Sequence, residues 1–488
     1  MFCQSLPLNH FLILNIFLFS ITSCTHTPPR VDEFGRPQRE YTYQPPIQTD
    51  DGWEISTLER EGIDPEYLNR LISLILHEKY EDFHSIIVVK DGKLVFEEYF
   101  SGNNRDTLHV MASATKSVTS ILVGIAIDNK MISDVNRKAY EFLPQFKGTK
   151  WVDNKYEISL ENMLTMTAGV EWLASTSGIP LSDPRNDLAG LYRSHDPIKY
   201  TLEKELIQQP GRRYDYNNGL TTVLGEILKN ASGLKPDKFA AKYLLSPLGI
   251  QHHKWHIYPN GTIDTGGGLY LRSRDMAKIG YMMLMKGKWR GNQIVSEKWV
   301  DESTKAHMQQ TSNIRNASHY GYQWHLGECK INGQRIESFF AQGLGGQYIF
   351  VIPDLDLVVV FTFQHPYSSG WFNGNLVLAK YILPSVLPPS QTHKNSKVDI
   401  KDTDKFVGEY ELKRLDEQID VGKKNGNLYF KAPYKSRVML FPETENAFYG
   451  NDKELGEVQV SFTMDTQKNV THFVLGIGFQ SLHYEKIK

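Results

Sequence analysis

The sequence predicts an α+β fold: an antiparallel sheet flanked by helices, an all-helical lobe beside it, and a small C-terminal all-β, barrel-like domain. Three observations predict it. First, the strand-like runs Ser85–Val89 and Lys93–Phe100 meet at Asp91-Gly92, a strong hairpin turn. Second, another hairpin lies far downstream, Tyr348–Ile352 and Leu357–Phe363, turning at Pro353-Asp354-Leu355-Asp356. The stretch between them is mostly helical in period, so one sheet with a helical lobe at its side and a cleft between the two is expected. Third, short alternating runs such as FVGEYEL, NLYFKA and VQVSF fill the chain from Phe406 to Ile487. Six or more strands of this kind suit a closed or nearly closed barrel.

Taken in order, the chain begins with an apolar run of eleven, Phe11–Ile21, which suits a secretory signal and is too short to span a bilayer. It ends in Ile21-Thr22-Ser23-Cys24, which resembles a bacterial lipobox, although Met1–Asn9 holds no Lys or Arg. The alternative is an ordinary signal peptide cleaved nearby. The expectation is a lipoprotein-type signal over 1–23, with Cys24 lipidated, and an exported protein of the bacterial cell envelope held at the membrane by that lipid. Polar, proline-bearing residues 24–51 read as a tether with little core of its own. The main domain is expected over 52–385. In it Asp64-Pro65 caps a helix whose Leu68, Leu71, Ile72 and Ile75 share a face. Further helical patterns run through Val118, Ile121, Leu122 and Ile125 and through Leu220, Val223, Leu224, Ile227 and Leu228. Residues 386–404 read as a linker and 405–488 as the β domain.

Composition excludes several classes. At 488 residues, 40% hydrophobic, the chain has the apolar content for a sizeable core. Its 54 Lys+Arg nearly cancel 56 Asp+Glu, so no basic excess points to nucleic acid. Three cysteines, Cys3, Cys24 and Cys329, do not make a disulfide scaffold, and Cys329 reads as a small core hydrophobe. His252, His253 and His256 have no carboxylate beside them in sequence, so no metal is expected. Gly266-Gly267-Gly268 lacks the GK[ST] of a phosphate loop. No cofactor is expected.

The chemistry starts at Ser113-Ala114-Thr115-Lys116. Residues three apart share a helix face, so a lysine amine stands beside a serine hydroxyl. Serine needs a nearby base to become a nucleophile, and a helix N-terminus favours developing negative charge. Tyr216-Asn217-Asn218 follows at the mouth of the Leu220–Leu228 helix. A tyrosine held near a lysine ammonium can serve as general base and then as acid. Asn218 offers a donor and an acceptor, and it also fits a plain N-cap. Two recurrences read as chance: Ser232–Lys235 at a helix end marked by Gly233 and Pro236, and Tyr258–Asn260 in a turn.

Together with a glycine-rich stretch before the late hairpin, these motifs resemble the serine β-lactamase / penicillin-binding-protein superfamily. The nearer likeness is its class C-like branch of esterases, peptidases and aminohexanoate-oligomer hydrolases. The phrases MASATKSVTSILVG, ISLENMLTMTAGVEW, QQPGRRYDYNNGLTTVLGEIL, TGGGLYLRSRDMAKIG and AQGLGGQYIFVIPDLDLVVVFT carry it, in family order. The resemblance implies a β-lactamase/transpeptidase-like fold. It implies that Ser113 is acylated, that Lys116 assists its deprotonation, and that Tyr216 is base and acid. The backbone N–H groups of Ser113 and Leu344 are the implied oxyanion hole, with Asn218, Gln342, Gly343, Gly345 and Gly346 at the substrate. The family's third motif is often K-[ST]-G or H-x-G, yet Gln342–Gly346 carries no cation, and His319-Tyr320-Gly321 and His325-Leu326-Gly327 precede the matching strand. The family uses that cation to bind a substrate carboxylate. Its absence favours small esters or amides over β-lactams and D-Ala-D-Ala peptides. A D-Ala-D-Ala-type peptidase or weak β-lactamase is the alternative, and a non-turnover sensor or binding protein the second. Nothing in the sequence sets an oligomeric state.

Overall fold

The computed structural model describes residues 30–487 other than 33–35, 81, 147–156, 175–178, 311–318, 332–333, 365–369, 388–401, 413–416, 432–436, 453–455 and 478–479. The expected signal, Cys24 and most of the expected linker lie outside the described residues.

The chain opens with strands β1 (Glu54–Ile55), β2 (Phe83–Lys90) and β3 (Lys93–Tyr99). Strands β4 (His109–Val110), β5 (His253–Trp255) and β6 (Leu269–Leu271) make a three-stranded sheet, and β7 (Lys288–Trp289) pairs with β8 (Asn292–Gln293). Then come β9 (Met308–Gln309), β10 (His319–Tyr320), β11 (His325–Ile331), β12 (Gln334–Gly343), β13 (Gln347–Ile352) and β14 (Leu357–Phe363). The central sheet has nine strands in the order β1-β3-β2-β14-β13-β12-β11-β10-β9. Both expected hairpins form. Asp91 and Gly92 take φ of 51° and 78°, the paired left-handed turn that matches strand twist. The hairpins join edge to edge, because β14 pairs with β2 from Leu357 opposite Lys90 to Phe363 opposite Phe83.

Four helices matter to the site: α1 (Pro65–Leu76), α2 (Thr115–Asp128), α3 (Asn218–Ser232) and α4 (Ser273–Leu284). Successive strand side chains point to opposite faces. Ile87, Val89, Ile349, Val351, Val358 and Val360 therefore pack with α2, α3 and α4. Ile86, Val88, Phe350, Val359 and Phe361 pack with α1 and with Leu378, Tyr381 and Ile382 on the other side. With both faces covered, β2 and β14 read as nearly continuous apolar runs. Close approach of α4 depends on Gly280, where a Cβ would stand 2.7 Å from Ile349 and Val358. Among the described residues no helix is long and apolar enough to cross a membrane.

Residues 36–51, expected to carry little core, lie against the sheet instead. Tyr43 stacks on Phe96, its hydroxyl donating to the Val95 carbonyl at 2.8 Å. Buried Arg274 of α4 donates to Ile47, Thr49, Asp51 and Glu97. From Gly408 to Lys486 eight strands close into a barrel filled by Phe406, Tyr410, Phe448, Phe462, Phe473 and Tyr484. It meets the central sheet where Lys330 of β11 pairs with Glu443 and Gln459, and Leu376, from the helix Gly370–Val377 after β14, enters its core.

Candidate active site

Ser113 sits in a single 3-10 turn, Ala112–Ala114, that runs straight into α2. Ala112 holds φ at 46°, a left-handed conformation uncommon for a non-glycine residue. The turn leaves Ser113 partly exposed, whereas Lys116 one helical turn on is 1% exposed. Lys116 Nζ donates to Ser113 Oγ at 3.2 Å and to the Gly266 carbonyl at 2.5 Å. The expected lysine–serine contact is therefore present. It leaves the serine proton directed away from the ammonium.

The Gly266 contact had no reading in the sequence. Residues Asp264–Leu269 lie across the starts of α2 and α3 and are stitched to both. Thr119 Oγ1 donates to the Thr265 carbonyl at 2.7 Å, and Thr265 Oγ1 to the Thr221 carbonyl at 2.7 Å. Leu269 N donates to Thr115 Oγ1, and Met111 N to the Leu269 carbonyl. The glycine run is needed for closeness: a Cβ at Gly266 would stand 3.0 Å from the Asn218 carbonyl, and one at Gly267 would stand 2.9 Å from the Tyr192 hydroxyl. His256 Nδ1 lies 3.7 Å from Asp264, so the fold brings a carboxylate to this histidine that the sequence did not. No metal-holding cluster occurs among the described residues.

Tyr216 is 4% exposed, and Lys116 Nζ lies 5.0 Å from its ring centroid. Met166, Tyr214 and Tyr320 pack around it. The cap of α3 is Asn217, which accepts from Leu220 N at 3.1 Å, so Asn218 is the first helical residue and the N-cap reading moves back by one. Gly233 ends α3 at φ 73°, as its stop signal predicts.

The Gln342–Gly346 segment divides. Gly343 faces the Ser113 turn: a Cβ there would strike the Met111 carbonyl and stand 3.2 Å from the Ala112 Cβ. Gly345 and Gly346 turn the chain at φ 85° and 97°, which leaves partly exposed Leu344 beside the turn. The Ser113 turn and Leu344, the residue after β12, thus lie at one junction. Gln342 corrects the expectation. Alternation puts it on the opposite face, where its Nε2 donates to the Tyr348 hydroxyl at 2.8 Å, among the Phe340 and Phe350 rings.

Known proteins resemble this chain in sequence and fold. The β-lactamase family model matches residues 84–380, well over half of the chain. The chain is 24% identical over 286 residues to the 6-aminohexanoate-dimer hydrolase of Paenarthrobacter ureafaciens, covering 57% of this chain and 71% of that one. It is 23% identical over 196 residues to protein flp of Staphylococcus aureus strain N315, covering 38% of this chain and only 37% of that relative. A Bacillus anthracis structure provisionally named for the same aminohexanoate-dimer hydrolase superposes with a TM-score of 0.53 at 21% identity, over 71% of this chain and 87% of that one. The match spans every residue gathered at the site, from Ser113 to Gly346, and the chain belongs to the β-lactamase family.

Proposed function

We propose that the protein is a serine hydrolase that cleaves small esters or amides through an acyl-enzyme on Ser113. The observation that carries this reading is Lys116 Nζ, which bridges Ser113 Oγ and the Gly266 carbonyl beside the Tyr216 ring. Lys116 donates to Oγ, so the serine proton is free to pass to the phenolate oxygen of Tyr216, held beside the Lys116 ammonium, as Oγ attacks the substrate carbonyl. The bond from Oγ to carbon forms and the carbonyl electrons move to oxygen, between the Ser113 and Leu344 N–H groups. These donors are fixed before the charge develops, so they need no reorganisation. Tyr216 then returns the proton to the departing alkoxide or amine. Water repeats the sequence on the acyl-enzyme, releasing a carboxylic acid and freeing Ser113. The hydrolase relatives support this reading.

Gln342–Gly346 offers no cation to a substrate carboxylate, and Gln342 is turned to Tyr348, which supports neutral esters or amides as substrates. The test is release of nitrophenol from short nitrophenyl esters by wild type and Ser113→Ala, with a chromogenic cephalosporin beside it. Ester turnover lost in Ser113→Ala, with slower cephalosporin turnover, is the expected result. Cephalosporin turnover as fast as the ester's would favour the β-lactamase or peptidase alternative. A Ser113 adduct that never turns over would favour the binding-protein alternative. Export and lipidation at Cys24 belong to the same proposal: Cys24→Ser is expected to move the protein from the membrane fraction.

A further inference from the structure

We propose that Asp264 is a positioning residue for the hydrolysis proposed above, on which this role rests: it fixes the peptide unit whose carbonyl holds Lys116. The carboxylate is 1% exposed, and its Oδ1 accepts from both Gly266 N and Gly267 N at 3.0 Å. Its Oδ2 accepts from the Tyr192 hydroxyl at 3.1 Å. Three donors satisfy a buried carboxylate that would otherwise be costly to desolvate.

The coupling runs through one planar group. The Gly267 N–H and the Gly266 carbonyl belong to the same peptide unit, and the bond is trans. In a trans peptide the N–H and the C=O point in opposite directions. With the N–H pinned to Asp264, the carbonyl is aimed at Lys116 Nζ, 2.5 Å away. Bonds chained in this way polarise one another, so the carboxylate also strengthens the carbonyl's hold on the ammonium. Tyr192 closes the far side. Burial, and then the charge of Asp264, push its phenol well above the ordinary tyrosine range, so it remains a donor to Oδ2. Its hydroxyl abuts Gly267 from outside, and the glycine there lets the two approach. The sequence places Asp264 and Lys116 well over a hundred residues apart, and only the β6 approach to α2 brings them together.

The role is tested by nitrophenyl ester kinetics on wild type, Asp264→Ala, Asp264→Asn and Tyr192→Phe, with kcat expressed per titratable Ser113 so that misfolded protein does not count. Asp264→Ala is expected to lower kcat about 10- to 100-fold, the scale of a misplacement of about 1 Å, while KM stays within about threefold. Asparagine keeps the Oδ1 acceptor and can donate to Tyr192, so Asp264→Asn is expected to recover kcat to within about threefold of wild type. Tyr192→Phe leaves both Oδ1 bonds and is expected to cost about fivefold at most. An unchanged kcat in Asp264→Ala overturns the role, as does Asp264→Asn as slow as Asp264→Ala. Wild type with no Ser113-dependent turnover overturns the hydrolase reading and this role with it, whereas wild-type turnover with unaffected variants overturns this role alone.

Discussion

At Gly343 a single methyl group would reach the site. A Cβ there would strike the Met111 carbonyl one residue before the Ser113 turn, and backbone cannot swing aside as a side chain can. Gly343→Ala is expected to separate β12 from Ser113 and to lower ester kcat about 100-fold, with the circular dichroism unchanged. Tyr216→Phe removes only the hydroxyl and is expected to cost about 100-fold or more in kcat, since general acid–base groups contribute about that much. The placement of residues chosen by side-chain type and helical spacing was legible: Ser113 and Lys116 three apart, and Tyr216 ahead of an apolar helix. The acceptor that holds Lys116 was not, because a backbone carbonyl has no signature in the residue it belongs to. Gln342 failed for another reason. A motif read as five neighbours ignores that alternate strand residues face opposite ways.

At the scale of the element, β4 leads into the Ser113 turn, and its His109 pairs with His84 of β2. His109 Nδ1 lies 3.1 Å from the Val110 carbonyl, which can only accept, so His109 Nε2 must accept from His84 Nδ1, 2.8 Å away. Burial first, and then the His109 charge, lower His84 to about 3. Burial lowers His109 to about 4, against a smaller opposing effect of its carbonyl bond. Both folded values lie below the ordinary 6.5, so the unfolded chain binds more protons as the medium acidifies. The stability they contribute is complete above about pH 6.5 and is lost as pH falls from there toward 4. The unfolding free energy from urea titration is expected to drop between pH 7.5 and pH 5, by on the order of 4 kcal/mol for the two histidines together, and His109→Gln is expected to flatten that slope. The cap of α3 belongs to the same scale: Asn217→Ala is expected to cost about 1 kcal/mol by urea unfolding. The sequence reading put the cap at Asn218, and the bond from Leu220 N places it at Asn217.

Across the whole molecule, the architecture was legible because each level agreed. Two hairpins with their turn residues, helical periods between them, and a late run of short strands all specify one sheet, one lobe and one barrel. The docking of residues 36–51 was not legible, because its partners are far away in sequence. Arg274 does much of that docking from inside α4. Burial raises the Glu97 carboxyl, but bonds from Arg274, Arg105 and Tyr99 outweigh it and hold it below the usual range. Arg274→Met would strand Glu97 in a buried site without its main partner. It is expected to destabilise the fold by about 3–5 kcal/mol in urea unfolding, while Arg105→Ala, at a more exposed guanidinium, is expected to cost far less.

The most direct measurement is covalent labelling with an alkyl fluorophosphonate, which an activated serine attacks with loss of fluoride and which is not turned over. Peptide mass mapping then locates the adduct. The account predicts one phosphonyl group on the peptide Asp106–Lys116, absent in Ser113→Ala and at least about tenfold slower to form in Lys116→Met and Tyr216→Phe. An adduct on another residue, or labelling undiminished in Ser113→Ala, would contradict it.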